Sequence, residues 1–91
     1  MSAQQLEIDN STVFDNLDER QVEFDGEVDG EEYQFAVLYS VLEALTGDQP
    51  DGDAESSFRQ HIDTIREAGL SALSNGPDRP LIVISESDLD R

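Results

Sequence analysis

The sequence has no cysteine, no lysine and no tryptophan, and only three prolines in 91 residues. Without cysteine there is no disulfide staple and no thiolate metal site, so the hydrophobic core alone must hold the fold. With one histidine and no cysteine, a zinc set cannot be assembled. The longest apolar runs, Ala36 to Tyr39 and Leu81 to Ile84, fall far short of the ~20 residues of a membrane span. No basic stretch followed by an apolar one opens the sequence, so no secretion signal is expected, and the expected location is the cytoplasm.

Positive charge is the other scarcity. Five basic residues, all arginine, face 22 acidic ones, for a net charge of −17. Phosphate binding needs a basic footprint, so direct nucleic-acid binding is not expected. Two readings of the acids remain. They form a general solvated surface, as in proteins of salt-accumulating halophiles, where the Debye length falls to about 3 Å at 1 M salt. Alternatively they copy the charge pattern of DNA and make the chain a decoy for a nucleic-acid-binding protein. The acids spread along the whole chain and lysine is missing altogether, which favours the first reading.

What is present fits one small α+β domain. Residues 1–12 are polar and weakly patterned and read as a flexible N-terminal segment, although Leu6 and Ile8 alternate with Glu7 and Asp9, which hints at a short extra strand; residues 13–91 form the domain, with Phe14 and Leu17 expected to tuck an irregular entry segment onto the core. Val22, Phe24 and Val28 alternate with acids, and Asp29-Gly30 follows, the preferred dipeptide of a type I′ turn. Tyr33, Phe35 and Val37 then alternate again. A two-residue loop sets Val28 against Glu31, Gly26 against Tyr33, Phe24 against Phe35 and Val22 against Val37, so turn chemistry and hydrophobic pattern agree. Gly26 opposite Tyr33 suggests an aromatic ring over a bare backbone position. Glu27 meets Glu32 on the other face, a like-charge pair.

Ser40 to Gly47 reads as a short helix, with Ser40 and Glu43 at capping-box spacing and Gly47 as the left-handed stop. Asp53 then caps a second helix over 54–75, whose stripe is Phe58, Ile62, Ile65, Gly69, Ala72 and Leu73. Gly69 within the stripe implies a close approach of helix and sheet. Asn75-Gly76-Pro77 ends that helix. Leu81 to Ile84 is a third strand, apolar on both faces, and Ser85 with Asp88 has capping spacing. The expected architecture is β-β-α-α-β: a three-stranded antiparallel sheet with helices packed on one face.

This layout resembles the domain-of-unknown-function 1488 family of short, mostly bacterial proteins. The resemblance runs from about Phe14 to Leu89. It rests on Val22-Glu23-Phe24, Val28-Asp29-Gly30, the brief helix of Ser40 to Leu45, Phe58 with His61, Ile65 and Ala68 at helical spacing, and the Leu81 to Ile84 strand. These are pattern-level matches rather than a catalytic signature. The family implies a compact fold of two strands, two helices and a closing strand. It implies no established activity, so no functional residues carry over. The heavy acid content departs from a typical member.

No catalytic residue, cofactor or metal ligand is assigned. His61 borders the apolar stripe, and no serine elbow accompanies it. Asp48, Asp51, Asp53 and Glu55 lack the glycine and glutamate of a calcium loop. Gly26 and Gly30 lack the spacing and following helix of a phosphate loop. Arg59, Asp63 and Arg66 share one helix flank, either as an ion-pair ladder or as an anion-binding ridge. Arg59, His61 and Arg66 are therefore the ligand-binding candidates. The expected function is a small protein-interaction module that forms a homodimer in a halophilic organism, since a three-stranded sheet of this size has open edges to bury. The alternatives are a DNA-mimic inhibitor and a small enzyme with its site in a dimer cleft.

Overall fold

The computed structural model describes residues 5–50, 52–76 and 78–89. Its centre is the hairpin of β2 (Gln21–Val28) and β3 (Glu31–Leu38). Asp29 and Gly30 both have left-handed backbone angles, φ 55° and 84°, as a type I′ turn requires. The register is the expected one, with Phe24 against Phe35 and Val22 against Val37. Those two phenylalanine rings stack at 5.2 Å, and Phe58 closes on Phe24 at 5.0 Å. Aromatic stacking at these distances adds to the burial of the rings themselves.

The sheet differs from the expectation in two ways: it has four strands, and it is mixed, in the order β1-β2-β3-β4. The first new strand is β1 (Glu7–Asn16), antiparallel to β2, and it takes in residues 7–12 of the segment expected to be flexible. Its pattern was hard to read because a bulge over residues 10–13 interrupts the pairing between Asp9 and Phe14. Side chains repair the gap. The Asp9 carboxylate accepts from Ser11 N (3.1 Å) and Ser11 Oγ (2.6 Å). Thr12 Oγ1 donates to Asp9 O and accepts from Asp25 N at 2.8 Å, standing in for the missing carbonyl of the ladder.

The second difference is β4 (Ile82–Ile84), which pairs with β3 in parallel, Phe35 beside Ile82 and Val37 beside Ile84. A parallel neighbour requires a crossover, and the helices between β3 and β4 supply it. This strand is an edge: Ile82 and Ile84 are buried and Val83 faces out.

Helix α1 (Tyr39–Thr46) ends at Gly47, φ 88°, as expected. It does not start with the Ser40–Glu43 capping box. Tyr39 N donates to Arg20 O at 3.0 Å, so the helix grows directly out of β3 and Ser40 lies inside its first turn. The single helix expected over 54–75 is two, α2 (Ala54–Gln60) and α3 (Ile62–Asn75), broken at His61 (φ −115°, ψ 28°). No glycine or proline marks the break; Ser56 and Ser57, weak helix formers, precede it. Asp53 holds the N-cap position of α2, and its carbonyl accepts from Ser57 N. Asp88 accepts from Ser85 N at 3.0 Å in the short 3-10 turn after β4. Pro77 and Asp51 lie outside the described residues.

All three helices pack on the face bearing Val22, Phe24, Phe35 and Ile84. Two glycines set how closely. A Cβ on Gly69 of α3 would lie 2.7 Å from Leu6 Cδ2, and one on Gly26 of β2 would lie 2.5 Å from Leu6 Cδ1 and 3.0 Å from Phe35 Cε1. Leu6, 2% exposed, thus fills a notch between sheet and helix that two absent side chains create. It is Leu6 and Phe35, not Tyr33, that cover Gly26; the Tyr33 ring meets Phe35 edge-on at 6.3 Å.

Candidate functional site

The three candidates from the sequence do not converge. Arg59 pairs with Glu55 across one turn of α2 at 3.3 Å. Arg66 pairs with Asp63 on α3 at 3.3 Å. His61 lies at the junction between the two helices, half-buried. The helix break separates Arg59 from Asp63, so the expected three-residue ladder becomes two exposed pairs, each worth a few tenths of a kcal/mol. Among the described residues no three histidine, aspartate or glutamate side chains gather as a metal site, and no helix is long and apolar enough to cross a membrane.

Where β1 turns into β2 a tighter polar cluster forms. Tyr39 Oη donates to Asp15 Oδ1, and the Arg20 guanidinium sits over the Tyr39 ring, 5.7 Å from its centre. Burial first, and the bond to Asp15 second, push the Tyr39 phenol up to about 12. Arg20 itself has φ 57°, a left-handed angle uncommon for a side-chain-bearing residue. The cluster pins the start of α1 to the β1–β2 turn. At the far end of the hairpin, the Tyr33 hydroxyl donates to Glu31 Oε1, which raises that phenol above its ordinary range.

The sheet face away from the helices has two ends of different character. At one end strand pairing sets Glu7, Glu27 and Glu32 side by side across three strands, with Asp9 and Asp25 in the next row. At the other end the row is Phe14, Glu23, Ala36 and Val83. The Glu23 carboxylate there is occupied, accepting from Asn16 Nδ2 (2.9 Å) and Gln21 Nε2 (2.8 Å). Phe14 is 57% exposed and Val83 36%, and Leu17, in the adjoining turn, is 66% exposed. Carboxylates also stand on α2 and α3, in the turns and after β4, so the acids are not confined to one strip.

A groove of about 600 Å³ runs between β1 and α3. Residues 5–8 form one wall, and Asp63, Arg66, Glu67 and Leu70 the other. Of the three sequence candidates only Arg66 reaches it. The strand wall lies in the segment expected to be flexible, and the Leu6–Ile8 alternation was its only signal in the sequence. Phe14 read as an entry segment tucked on the core; its pairing with Glu23 turns it outward instead.

No protein-family model and no curated protein matches this sequence. One solved structure does: a protein of unknown function from the duf1488 family of Shewanella loihica, with a TM-score of 0.74 and 16% identity. The match covers 99% of this chain and 100% of that one. The chain therefore has the fold of a domain-of-unknown-function 1488 protein, as the sequence pattern implied.

Proposed function

We propose that this chain, which shares its fold with that duf1488 protein, is a small protein-interaction module that works as a homodimer. The observation that carries the reading is the uncovered apolar end of the sheet. Phe14, Leu17 and Val83 are the large hydrophobic side chains left exposed among the described residues, and two of them share one row of the open face. A domain of this size has little core to spare, and burying such residues in a twin adds to it. A two-fold axis through the Phe14–Val83 row apposes the apolar ends and directs the glutamate rows away from each other. The net charge of −17 opposes the association at low ionic strength. Concentrated salt, at about 1 M with a Debye length of about 3 Å, removes most of that opposition.

The test is light scattering across a salt series. A dimer mass is expected in concentrated salt, and a monomer mass for Phe14→Ser under the same conditions. A monomer at every salt concentration, or a dimer unaffected by Phe14→Ser and Val83→Ser together, refutes the reading.

A further inference from the structure

We propose that the groove between β1 and α3 receives an extended, basic segment of a partner protein, which joins the sheet as a fifth strand beside residues 5–9. The surface is separate from the dimerising face, so the two readings stand or fall independently.

Three observations carry this. First, β1 is an edge strand, and among the described residues no strand pairs with its outer side. Edge strands display unpaired backbone donors and acceptors, and extended peptides bind by completing them. The opposite edge, β4, carries Val83 and belongs to the apolar end of the open face. Second, the bulge over residues 10–13 interrupts the β1 edge, so the regular strand before it is Glu7–Asp9, roughly 10 Å, with residues 5 and 6 leading into it. Helix α3 runs beside that same stretch and turns a bare edge into a two-walled groove of about 600 Å³. Backbone pairing along one wall and side-chain contacts on the other are the ingredients of strand-addition sites.

Third, the charge of the walls selects the occupant. Glu7, Asp63 and Glu67 line the groove against one arginine, Arg66, whose guanidinium is held by Asp63. An incoming strand with lysine or arginine at alternate positions answers Glu7 on the open face of the sheet, and the apolar residues between them meet Ile8 and Leu70 on the helix side, where Glu67 adds to the negative field. A second copy of this chain offering its own β1 would instead set Glu7 and Asp9 against acids like themselves, a destabilising cross-strand arrangement.

The probe is a fluorescein-labelled heptapeptide of alternating lysine and valine, titrated into the whole protein and followed by anisotropy. Two further peptides carry N-methyl groups on alternate backbone amides, in the two possible phases. Methylation keeps the charge and the side chains but removes the strand-pairing donors. One phase is expected to abolish binding and the other to retain it. Equal binding of all three peptides means diffuse attraction to an acidic protein and overturns the proposal, as does absence of binding. The double variant Glu7→Arg/Glu67→Arg is expected to bind at least about tenfold more weakly, the equivalent of about 1.4 kcal/mol. Glu19→Arg/Glu43→Arg makes the same change in net charge away from the groove and is expected to bind as the parent does. Equal losses from the two double variants also overturn the proposal. If concentrating the protein alone shifts the amide resonances of residues 5–9, a second copy fills the groove and the basic partner is wrong.

Discussion

Leu6 and Gly69 should show a reversal of sign in a double-mutant cycle. Leu6 is almost wholly buried, and its two methyl groups occupy the space where Gly26 and Gly69 lack side chains. Leu6→Ala removes that filling and should cost about 2–5 kcal/mol, as other buried leucines do. A chain of 91 residues has a total stability of roughly 5–14 kcal/mol, so this is a large fraction of it. Gly69→Ala has two opposing effects. Alanine in a helix interior is favoured over glycine by about 1 kcal/mol. Against that, its Cβ would lie 2.7 Å from Leu6 Cδ2, while Ile84 Cδ1 at 3.5 Å and Phe35 Cε2 at 3.7 Å are ordinary contacts. Leu6 must therefore yield, and at the limit it leaves the notch and forfeits about 1.5–3 kcal/mol of burial. The net effect in the parent is a loss of roughly 0.5–2 kcal/mol by those two figures. With Leu6 already alanine, nothing stands in the way, and Gly69→Ala should stabilise by about 1 kcal/mol. Urea denaturation followed by circular dichroism at fixed salt measures all four corners. Additivity within about 0.5 kcal/mol, or destabilisation by Gly69→Ala in the Leu6→Ala background, refutes the notch.

Two further perturbations probe the open face and the Tyr39 cluster. Glu27 lies between Glu7 and Glu32, so Glu27→Lys converts two like-charge pairs into two opposite ones. It should stabilise by roughly 0.5–2 kcal/mol at low ionic strength, and the gain should shrink towards zero near 1 M salt, as melting temperatures across a salt series would show. Tyr39→Phe removes the donor to Asp15 and should cost about 1–3 kcal/mol at neutral pH. Because the folded phenol is raised to about 12 from an ordinary 10.0, its contribution is complete below pH 10 and is lost as pH climbs towards 12. The parent should lose stability across that window and Tyr39→Phe should lose less. Parallel pH profiles for the two proteins contradict the assignment.

The hairpin was legible in the sequence because two independent signals agreed. Asp29-Gly30 fixed the loop length, and the alternation of Val22, Phe24, Phe35 and Val37 allowed only one register. Strand β1 was not legible, because its alternation stops after Ile8 and the polar bulge that follows is held by Asp9, Ser11 and Thr12 side chains whose partners are set by β2. The helix break at His61 carried no glycine or proline. The parallel pairing of β4 depended on where the helices deliver the chain, which periodicity does not encode. For the groove, Arg66 was visible as scarce positive charge, yet its setting was not, since the facing wall comes from a segment more than fifty residues earlier. Phe14 misled for a related reason: its hydrophobicity suggested the core, while the bulge decides which way it points.

The crossover between β3 and β4 also sets an order of assembly. β1, β2 and β3 are joined by short turns and form a meander with little loop to close, which favours their gathering before β4. β4 arrives only after all three helices have been laid down, and until then the outer rim of β3, with Phe35 and Val37 beside it, is open to any passing strand. A chain caught in that interval presents a sticky border to its neighbours, and at low ionic strength the dense negative charge along Glu31, Glu32 and the flanking acids opposes the meeting of such half-built molecules.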